Sequence, residues 1–379
     1  MESAALVAFV SAFSLVLLIF LNPLLIWALC VFRRPLPVGT DPAHRPSVDF
    51  VIVVRNGEAV IEKKLRDTLA LRYPRESFQV LVYSDGSADD TAARAASVSG
   101  GSVRVIAASR HEGKNASLNR AVKECRGELL VFSDVDAEVD PGALERLAAH
   151  FADPRIGGVS GNKVVPGRVG RLGGPQRIYN AFAAAIKRLE SRSGTVTTND
   201  GTLYAIRRSL YRPLPTAVTD DLFVCLSVIT QGYRFLFEPE ATARVSAPSK
   251  SIAHEVERRR RIVSNSLKGL FLMREVLNVA RYGTAALSLL CNKVLRRVLP
   301  ALLVLLLFSS ATLATAHPAM ALFFAAQLLF YGMAALYLAR GVGGRAGATA
   351  AFFLAGNVGT LLGLADYLRG REIVKWDPR

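Results

Sequence analysis

Three short acidic segments have the residue types and spacing for chemistry: Asp85 within Ser84-Asp85-Gly86-Ser87-Ala88-Asp89-Asp90-Thr91, the pair Asp134-Val135-Asp136, and the adjacent Asp220-Asp221. Asp134 and Asp136 are one residue apart, so on an extended strand they point to the same side and can share a hard cation. Without a cation, two carboxylates in one cleft repel each other. Magnesium or manganese bridging a diphosphate answers that repulsion and stabilises a leaving phosphate. Asp85, followed by the backbone-exposing Gly86, can offer an acceptor and a donor to the N3–H and carbonyl of a uracil ring. The same segment is also a turn and helix start, with Asp89 as a cap, and the two readings can hold for different acids. Asp220 and Asp221 open the apolar run Leu222-Phe223-Val224, where one acid suffices for the helix start. The other is suited to taking the proton of an attacking hydroxyl.

Basic residues supply the complement. Arg258-Arg259-Arg260-Arg261 is a run of planar guanidiniums that suit a diphosphate, and Arg261 is the candidate leaving-group contact. The competing reading is charge facing a membrane surface. Lys114 is a further candidate cation for a phosphate. His254 has no second histidine near it and reads as a capping or packing residue. Four cysteines, Cys30, Cys125, Cys225 and Cys291, lie far apart with no CxxC or CxxH spacing, so neither a disulfide framework nor a zinc site is implied.

These residues need a scaffold. Strand-like runs occur at Val48–Val54, Gln79–Tyr83, Val103–Ile106 and Glu128–Phe132, separated by helical segments such as Ala59–Leu71 and Lys114–Lys123. Such alternation predicts an α/β domain with a mostly parallel sheet and covering helices. Ligands collect at the carboxyl ends of such strands, where Asp85, Asp134 and Asp136 fall. No GxGxxG loop follows the first strand, which argues against a dinucleotide.

In this order the motifs resemble the family 2 inverting glycosyltransferases, membrane-bound enzymes of GT-A fold that include cellulose, chitin and hyaluronan synthases. The resemblance runs along nearly the whole chain. Val51-Ile52-Val53-Val54-Arg55-Asn56-Gly57-Glu58 resembles the family's opening strand and Asn-Glu-Glu turn, with Gly57 where an acid is usual and Glu58 at a donor-side position. The resemblance places Asp85 at the uracil ring and Glu112-Gly113-Lys114-Asn115 with Leu118-Asn119 beside the donor. It implies that Asp134 binds donor and metal, that Asp136 completes the Mg2+ or Mn2+ site, and that Asp221 is the catalytic base. Gly201 to Arg208 resembles the floor of the acceptor site. Arg258 to Ile262 stands where Gln-x-x-Arg-Trp is frequent, and the missing Gln and Trp put processive polymerisation in doubt. The implied reaction is transfer from an α-linked UDP-sugar to a glycan or lipid-linked acceptor, giving a β linkage. The layout is similar to that of nodulation chitooligosaccharide synthases, which suggests UDP-N-acetylglucosamine, with UDP-glucose in glycolipid synthesis as the alternative. A reading from another class is an inactive nucleotide-sugar-binding scaffold or sensor subunit.

Composition bounds the rest. The chain has 379 residues, 51% of them hydrophobic, with 47 Lys and Arg against 31 Asp and Glu for a net charge of +16. Its mean hydropathy of +0.29 is too apolar for one soluble domain, and 21% charged residues are too many for a membrane bundle alone. No nucleic-acid-binding signature accompanies the basic charge, so the expected partners are a lipid bilayer, donor, acceptor and a membrane partner subunit. The expected domains are an N-terminal transmembrane helix (1–34), a catalytic GT-A domain (41–261), interfacial amphipathic helices (262–297, led by a helix over Ile262–Arg281), three C-terminal transmembrane helices (298–368) and a basic tail (369–379). Arg33, Arg34, Lys293, Arg296, Arg297, Arg340 and Arg345 put the catalytic domain on the cytoplasmic side of an inner membrane by the positive-inside rule. Four spans would carry Arg369, Arg371 and Lys375 across against that rule, so either the tail is translocated or the last segment does not cross. Gly356, Gly359 and Gly363 in that segment permit close helix packing.

Overall fold

The computed structural model describes residues 2–32, 36–98, 103–165, 173–245 and 251–372; Arg33, Arg34 and Lys375 lie outside the described residues. An apolar helix α1 (Glu2–Phe32) leads into β1 (Val48–Val54), α2 (Ile61–Leu69), β2 (Phe78–Ser84), α3 (Thr91–Val98), β3 (Val103–Ala107), α4 (Lys114–Lys123) and β4 (Leu129–Ser133). The domain continues with β5 (Ala137–Val139), α5 (Ala143–Ala149), β6 (Ile156–Val164), α6 (Gly173–Ser193), β7 (Leu203–Arg207), α7 (Asp220–Thr230) and β8 (Arg234–Val245). Helices complete the chain: α8 (Ile252–Leu272), the short α9 (Val279–Tyr282) and α10 (Thr284–Leu289), then α11 (Arg296–Leu313), α12 (Pro318–Arg340) and α13 (Gly344–Leu368).

The strands form one eight-stranded mixed sheet in the order β3-β2-β1-β4-β7-β6-β8-β5. This is the GT-A arrangement of an α/β domain, joined to several long apolar helices. β1 runs parallel to both β2 and β4, so the strand order reverses direction between β1 and β4. A crevice opens at such a switch point beyond the carboxyl ends of the strands. β1 is buried along its whole length because both faces are covered, which is why it reads as an unbroken apolar run. Val48, Phe50, Ile52 and Val54 enter one core with Ile61 and Leu65 of α2 and Leu144 and Leu147 of α5. Val51 and Val53 enter the other with Leu118 of α4 and Leu222 to Leu226 of α7. Asp49 is the polar exception, its Oδ2 accepting from the backbone N–H groups of Arg126 and Gly127 at 2.7 and 2.6 Å.

Among the described residues four helical stretches are long and apolar enough to cross a membrane: Glu2–Asn22, Thr284–Leu313, Pro318–Arg340 and Gly344–Leu368. Phe9 and Phe13 of α1 meet Phe323 of α12 edge to face, and His317 reaches Glu2 at 3.1 Å. The start of α1 and the α11–α12 turn therefore share one end of the bundle. The expected helix over Ile262–Arg281 is not one helix. It starts ten residues earlier, where Ser251 caps α8 by accepting from His254 N at 3.1 Å, and it stops at Leu272 because Met273 and Val276 turn into the domain core. Asn278 then caps α9. Arg258 to Arg261 consequently sit inside a continuous helix. Close approach of α13 is confirmed at Gly359 and Gly363 but not at Gly356, and the neighbour is α8. A Cβ would lie 2.7 Å from Val256 O at Gly359 and 2.4 Å from Arg260 O at Gly363, whereas it would meet nothing within 4 Å at Gly356.

Candidate active site

The carboxyl edges of β1, β2 and β4 carry Glu58, Asp85 and Asp134 in the loops that follow them. Two of these loops are stitched together. Gly57 N donates to Thr91 Oγ1 at 2.8 Å, Glu58 N to Asp89 Oδ2 at 3.2 Å, and Asp90 N to Glu58 Oε2 at 3.2 Å. Glu58 thus braces the start of α3, and none of its hydrogen bonds here reaches the acids around Asp134. A Cβ at Gly57 would fall 2.5 Å from Val54 Cγ2, so an acid there would require the Val54 side chain to move.

Asp85 is fully buried, and its carboxylate is engaged by one loop. Oδ1 accepts from Glu112 N at 2.8 Å, while Oδ2 meets Gly113 N at 3.0 Å and His111 Nδ1 at 2.8 Å. The Asp85 carboxylate, which the sequence reading sets at a base edge, faces the 111–113 loop in this structure. With Nδ1 donating to Asp85, the buried His111 Nε2 is left as an acceptor without a partner. His111 was missed in the sequence, where only its place two residues before Gly113 pointed to it.

The loop fixed by Asp85 leads to Gly113, whose φ of +94° suits glycine, and then to Lys114 at the start of α4. Lys114 Nζ lies 3.1 Å from Asp134 Oδ1 and 3.0 Å from Asp220 Oδ2. Burial alone would lower its pKa, but the two carboxylates outweigh burial and hold the ammonium charged. Asn115 and Asn119 pin the segment before the second acid pair: Asn115 Nδ2 donates to Pro215 O and Val218 O at 2.9 and 3.0 Å, and Asn119 Oδ1 accepts from Leu214 N at 2.7 Å. The motif beside Lys114 thus couples the donor-side loop to Asp220 and Asp221.

Neither of those acids caps α7 through its side chain; the cap position is Thr219, and its hydroxyl makes no cap bond. The capping role expected for Asp220 is replaced by its ion pair with Lys114. Asp221 Oδ1 accepts from its neighbour Leu222 N at 2.6 Å. Burial, and then the charge of Asp220, push the Asp221 carboxyl up to about 6. A base near neutrality is what proton removal from a hydroxyl requires. The buried Tyr204 hydroxyl, without a partner, has its pKa driven up first by burial and then by Asp220, Tyr211, Asp221 and Asp134. It stands among these acids and was not singled out in the sequence.

Asp134 and Asp136 lie in a turn between β4 and β5, so the extended-strand argument for their shared direction does not hold. The turn is held instead by Lys64, whose Nζ donates to Ser133 Oγ at 2.8 Å and Ala137 O at 2.7 Å. Burial lowers the Lys64 pKa to about 7 despite nearby Asp134 and Asp136. Lys64 shares the buried face of α2 with Ile61, Leu65 and Thr68, and that apolar spacing was its only sequence signal. Among the described residues no group of three or more His, Cys, Asp or Glu is arranged to hold a metal. Two carboxylates with further oxygens from a diphosphate and water fit Mg2+ or Mn2+, which are bound in that way.

Arg261 stays on α8, half-buried. Its neighbours have structural partners: Arg258 and Arg259 pair with the buried Glu255 at 3.0 and 3.2 Å, and Arg260 forks onto Asp366 of α13 at 2.5 and 3.1 Å. Lys114, Asp134 and Asp220 are thus brought into one ion cluster with Asp221 beside it, and Glu58 is not.

Residues 49–214 match the family model described as Glycosyl transferase family 2. The chain is 30% identical over 140 residues to a beta-monoglucosyldiacylglycerol synthase of Trichormus variabilis, covering 36% of this chain and 30% of that protein. It is 28% identical over 173 residues to glycosyltransferase AglD of Haloferax volcanii, covering 42% of this chain and 27% of that protein. The chain therefore spans about a third or less of the length of these curated relatives. The mannosyltransferase PcManGT of Pyrobaculum calidifontis, solved with GDP-Man and Mn2+, superposes with a TM-score of 0.72 at 23% identity, covering 96% of this chain and 100% of that one; at that identity the likeness is one of fold.

Proposed function

We propose, from the premise that residues 49–214 form a family 2 glycosyltransferase domain of GT-A fold, that this chain is a membrane-bound inverting transferase moving a sugar from a UDP-sugar to a lipid-linked or glycan acceptor. The carrying observation is the cluster in which Lys114 bridges Asp134 and Asp220 while Asp221 stands beside it with a carboxyl near neutrality. In this reading the Lys114 ammonium serves the donor side and the Asp221 carboxylate beside it serves as the acceptor-side base.

Asp134 and Asp136 would hold a divalent cation, which when bound supplies charge to the leaving diphosphate. Lys114 places an ammonium at the donor side, and Arg261 is the proposed second cation toward the diphosphate. Asp85 fixes the 111–113 loop, so that His111 Nε2 can accept from the base N–H while Glu58 braces the adjoining turn. Asp221 takes the proton of the acceptor hydroxyl as its oxygen bonds to the anomeric carbon and the anomeric bond to the diphosphate breaks, its electron pair leaving on UDP. Relatives named as a glucosyldiacylglycerol synthase and, from Azorhizobium caulinodans, as an N-acetylglucosaminyltransferase support UDP-glucose and UDP-N-acetylglucosamine as first donors. The long apolar helices support an acceptor drawn from the bilayer, and the basic residues that flank them support a catalytic domain on the cytoplasmic face. The test is UDP release by purified protein in detergent, with each UDP-sugar, a membrane lipid extract and Mg2+ or Mn2+. Release that depends on both lipid and metal is expected; no release with any UDP-sugar would refute the reading.

A further inference from the structure

A polar cavity of about 110 Å3 lies between α6, the segment Thr198–Asp200 and the beginning of the second apolar stretch. It has room for about three to four waters, enough for a tetrahedral anion. Its walls carry Lys163, Lys187, Lys293 and Arg296 against a single carboxylate, Asp200. Asp200 is already paired with Lys187. Both polar side-chain atoms of Asn199 are buried without a partner, and the residue is 6% exposed. Arg296 and Arg259 each place the guanidinium carbon over the Tyr179 ring, at 5.3 and 5.4 Å from its centre. The charge of Arg296 chiefly, then those of Arg259 and Lys293, pull the Tyr179 hydroxyl down to about 6 in spite of its burial. Lys187 is buried and paired with Asp200, and an ionised Tyr179 offsets one further cation, yet the half-buried Lys163, Lys293 and Arg296 leave an excess of positive charge that favours an anion.

Two placements define that anion. The cavity adjoins the proposed reaction centre: Gly201 follows Asp200, and a Cβ on it would lie 3.7 Å from Lys114 Nζ, 3.9 Å from Asp220 Oδ2 and 4.0 Å from Asp221 Cβ. It also adjoins two helices that can cross a membrane, because Lys293 and Arg296 belong to the stretch Thr284–Leu313 and Asn22 of α1 donates to the neighbouring Asn292 at 2.7 Å. We propose that this cavity binds the phosphate group of a phosphate-bearing lipid acceptor, with Lys293, Arg296 and Asn199 as its direct partners and the acceptor oxygen toward Asp221. The inference rests on the transferase reading for the word acceptor; the phosphate site itself does not.

The experiment titrates the full-length protein in neutral detergent with dioctanoyl phosphatidic acid, dioctanoylglycerol, inorganic phosphate and UDP. The expected result is binding of phosphatidic acid at least about tenfold tighter than dioctanoylglycerol or inorganic phosphate. Arg296→Gln and Lys293→Gln should each weaken it by about 10- to 100-fold, as for loss of one charged partner, with UDP affinity and melting temperature unchanged. Arg296→Lys should fall between, keeping the test open if a glutamine variant misfolds. Equal binding of phosphatidic acid and dioctanoylglycerol would overturn the phosphate site. Inorganic phosphate binding as tightly as the lipid would overturn the lipid assignment, and competition by UDP would overturn it in favour of the donor diphosphate. Failure of the transferase reading looks different: phosphatidic acid binds through Arg296 but no UDP-sugar is turned over. Transfer to a neutral lipid without phosphate preference would sink the site and leave the transferase.

Discussion

Replacing Asp221 by Asn removes the proposed base while keeping its size and its contact with Leu222 N. Loss of a general base lowers turnover by about 100- to 10,000-fold, or roughly 3 to 5 kcal/mol in the barrier. The pH profile is more discriminating. A carboxyl titrating at about 6 works only when ionised, so kcat/KM should rise with pH, reach half its plateau near pH 6 and fall about tenfold per unit below it. At pH 5 about one tenth of the enzyme carries the active form. That acid limb should vanish in Asp221→Asn. Asp220→Asn removes the neighbouring charge that helps hold the Asp221 carboxyl up, so its limb should move to lower pH. The same change takes from Lys114 one of its two carboxylates, so KM for the donor should rise about tenfold, in line with a charged hydrogen bond of about 1.5 kcal/mol. The assay is initial rate of sugar transfer from pH 4.5 to 8.5, with donor affinity measured separately. The reasoning is refuted if Asp221→Asn keeps more than about a tenth of wild-type turnover, or if its acid limb persists.

Three more outcomes are expected. Lys64→Met leaves Ser133 Oγ and Ala137 O without the buried ammonium and should lower stability by about 1 to 3 kcal/mol, read as a drop in melting temperature; an unchanged melt contradicts the clamp on the Asp134–Asp136 turn. Gly363→Leu drives a side chain into the backbone of Arg260 and should release α13 from α8, seen as faster proteolysis after Leu368; equal rates contradict the packing. Asp366 and Glu372 are tied to Arg260 and Lys268 of α8, so a cysteine at position 369 should be shielded from an impermeant reagent outside intact cells, as should one at the exposed Arg110; labelling at 369 alone would put the end of α13 on the far side.

The first half of the domain was legible because β1, β2 and β4 are apolar runs buried along nearly their whole length and separated by short amphipathic helices. β1 and α4 have the expected bounds, β3 differs by one residue at one end, and β2 and β4 differ by one residue at each end. β6 was not legible. Its Ile156-Gly157-Gly158 start looks like a turn, yet Gly158 is required because a Cβ would lie 2.3 Å from the Phe235 ring. The acids of the site were legible by type and spacing, but their partners were not. Asp220 looks like a cap until Lys114, far away in sequence, meets it; Asp85 looks open until the 111–113 loop folds onto it. Lys64 was invisible for the same reason, since a lysine on a helix reads as solvent-facing until the Ser133–Ala137 turn encloses it.

The central claim is a single displacement, with Asp221 activating the acceptor on the side of the anomeric carbon opposite the diphosphate held near Lys114. Determining the anomeric configuration of the product by NMR, from an α-linked UDP-sugar and the wild-type protein, tests it most directly. A β-linked product is predicted. An α-linked product, or a sugar trapped covalently on the protein, would contradict the account.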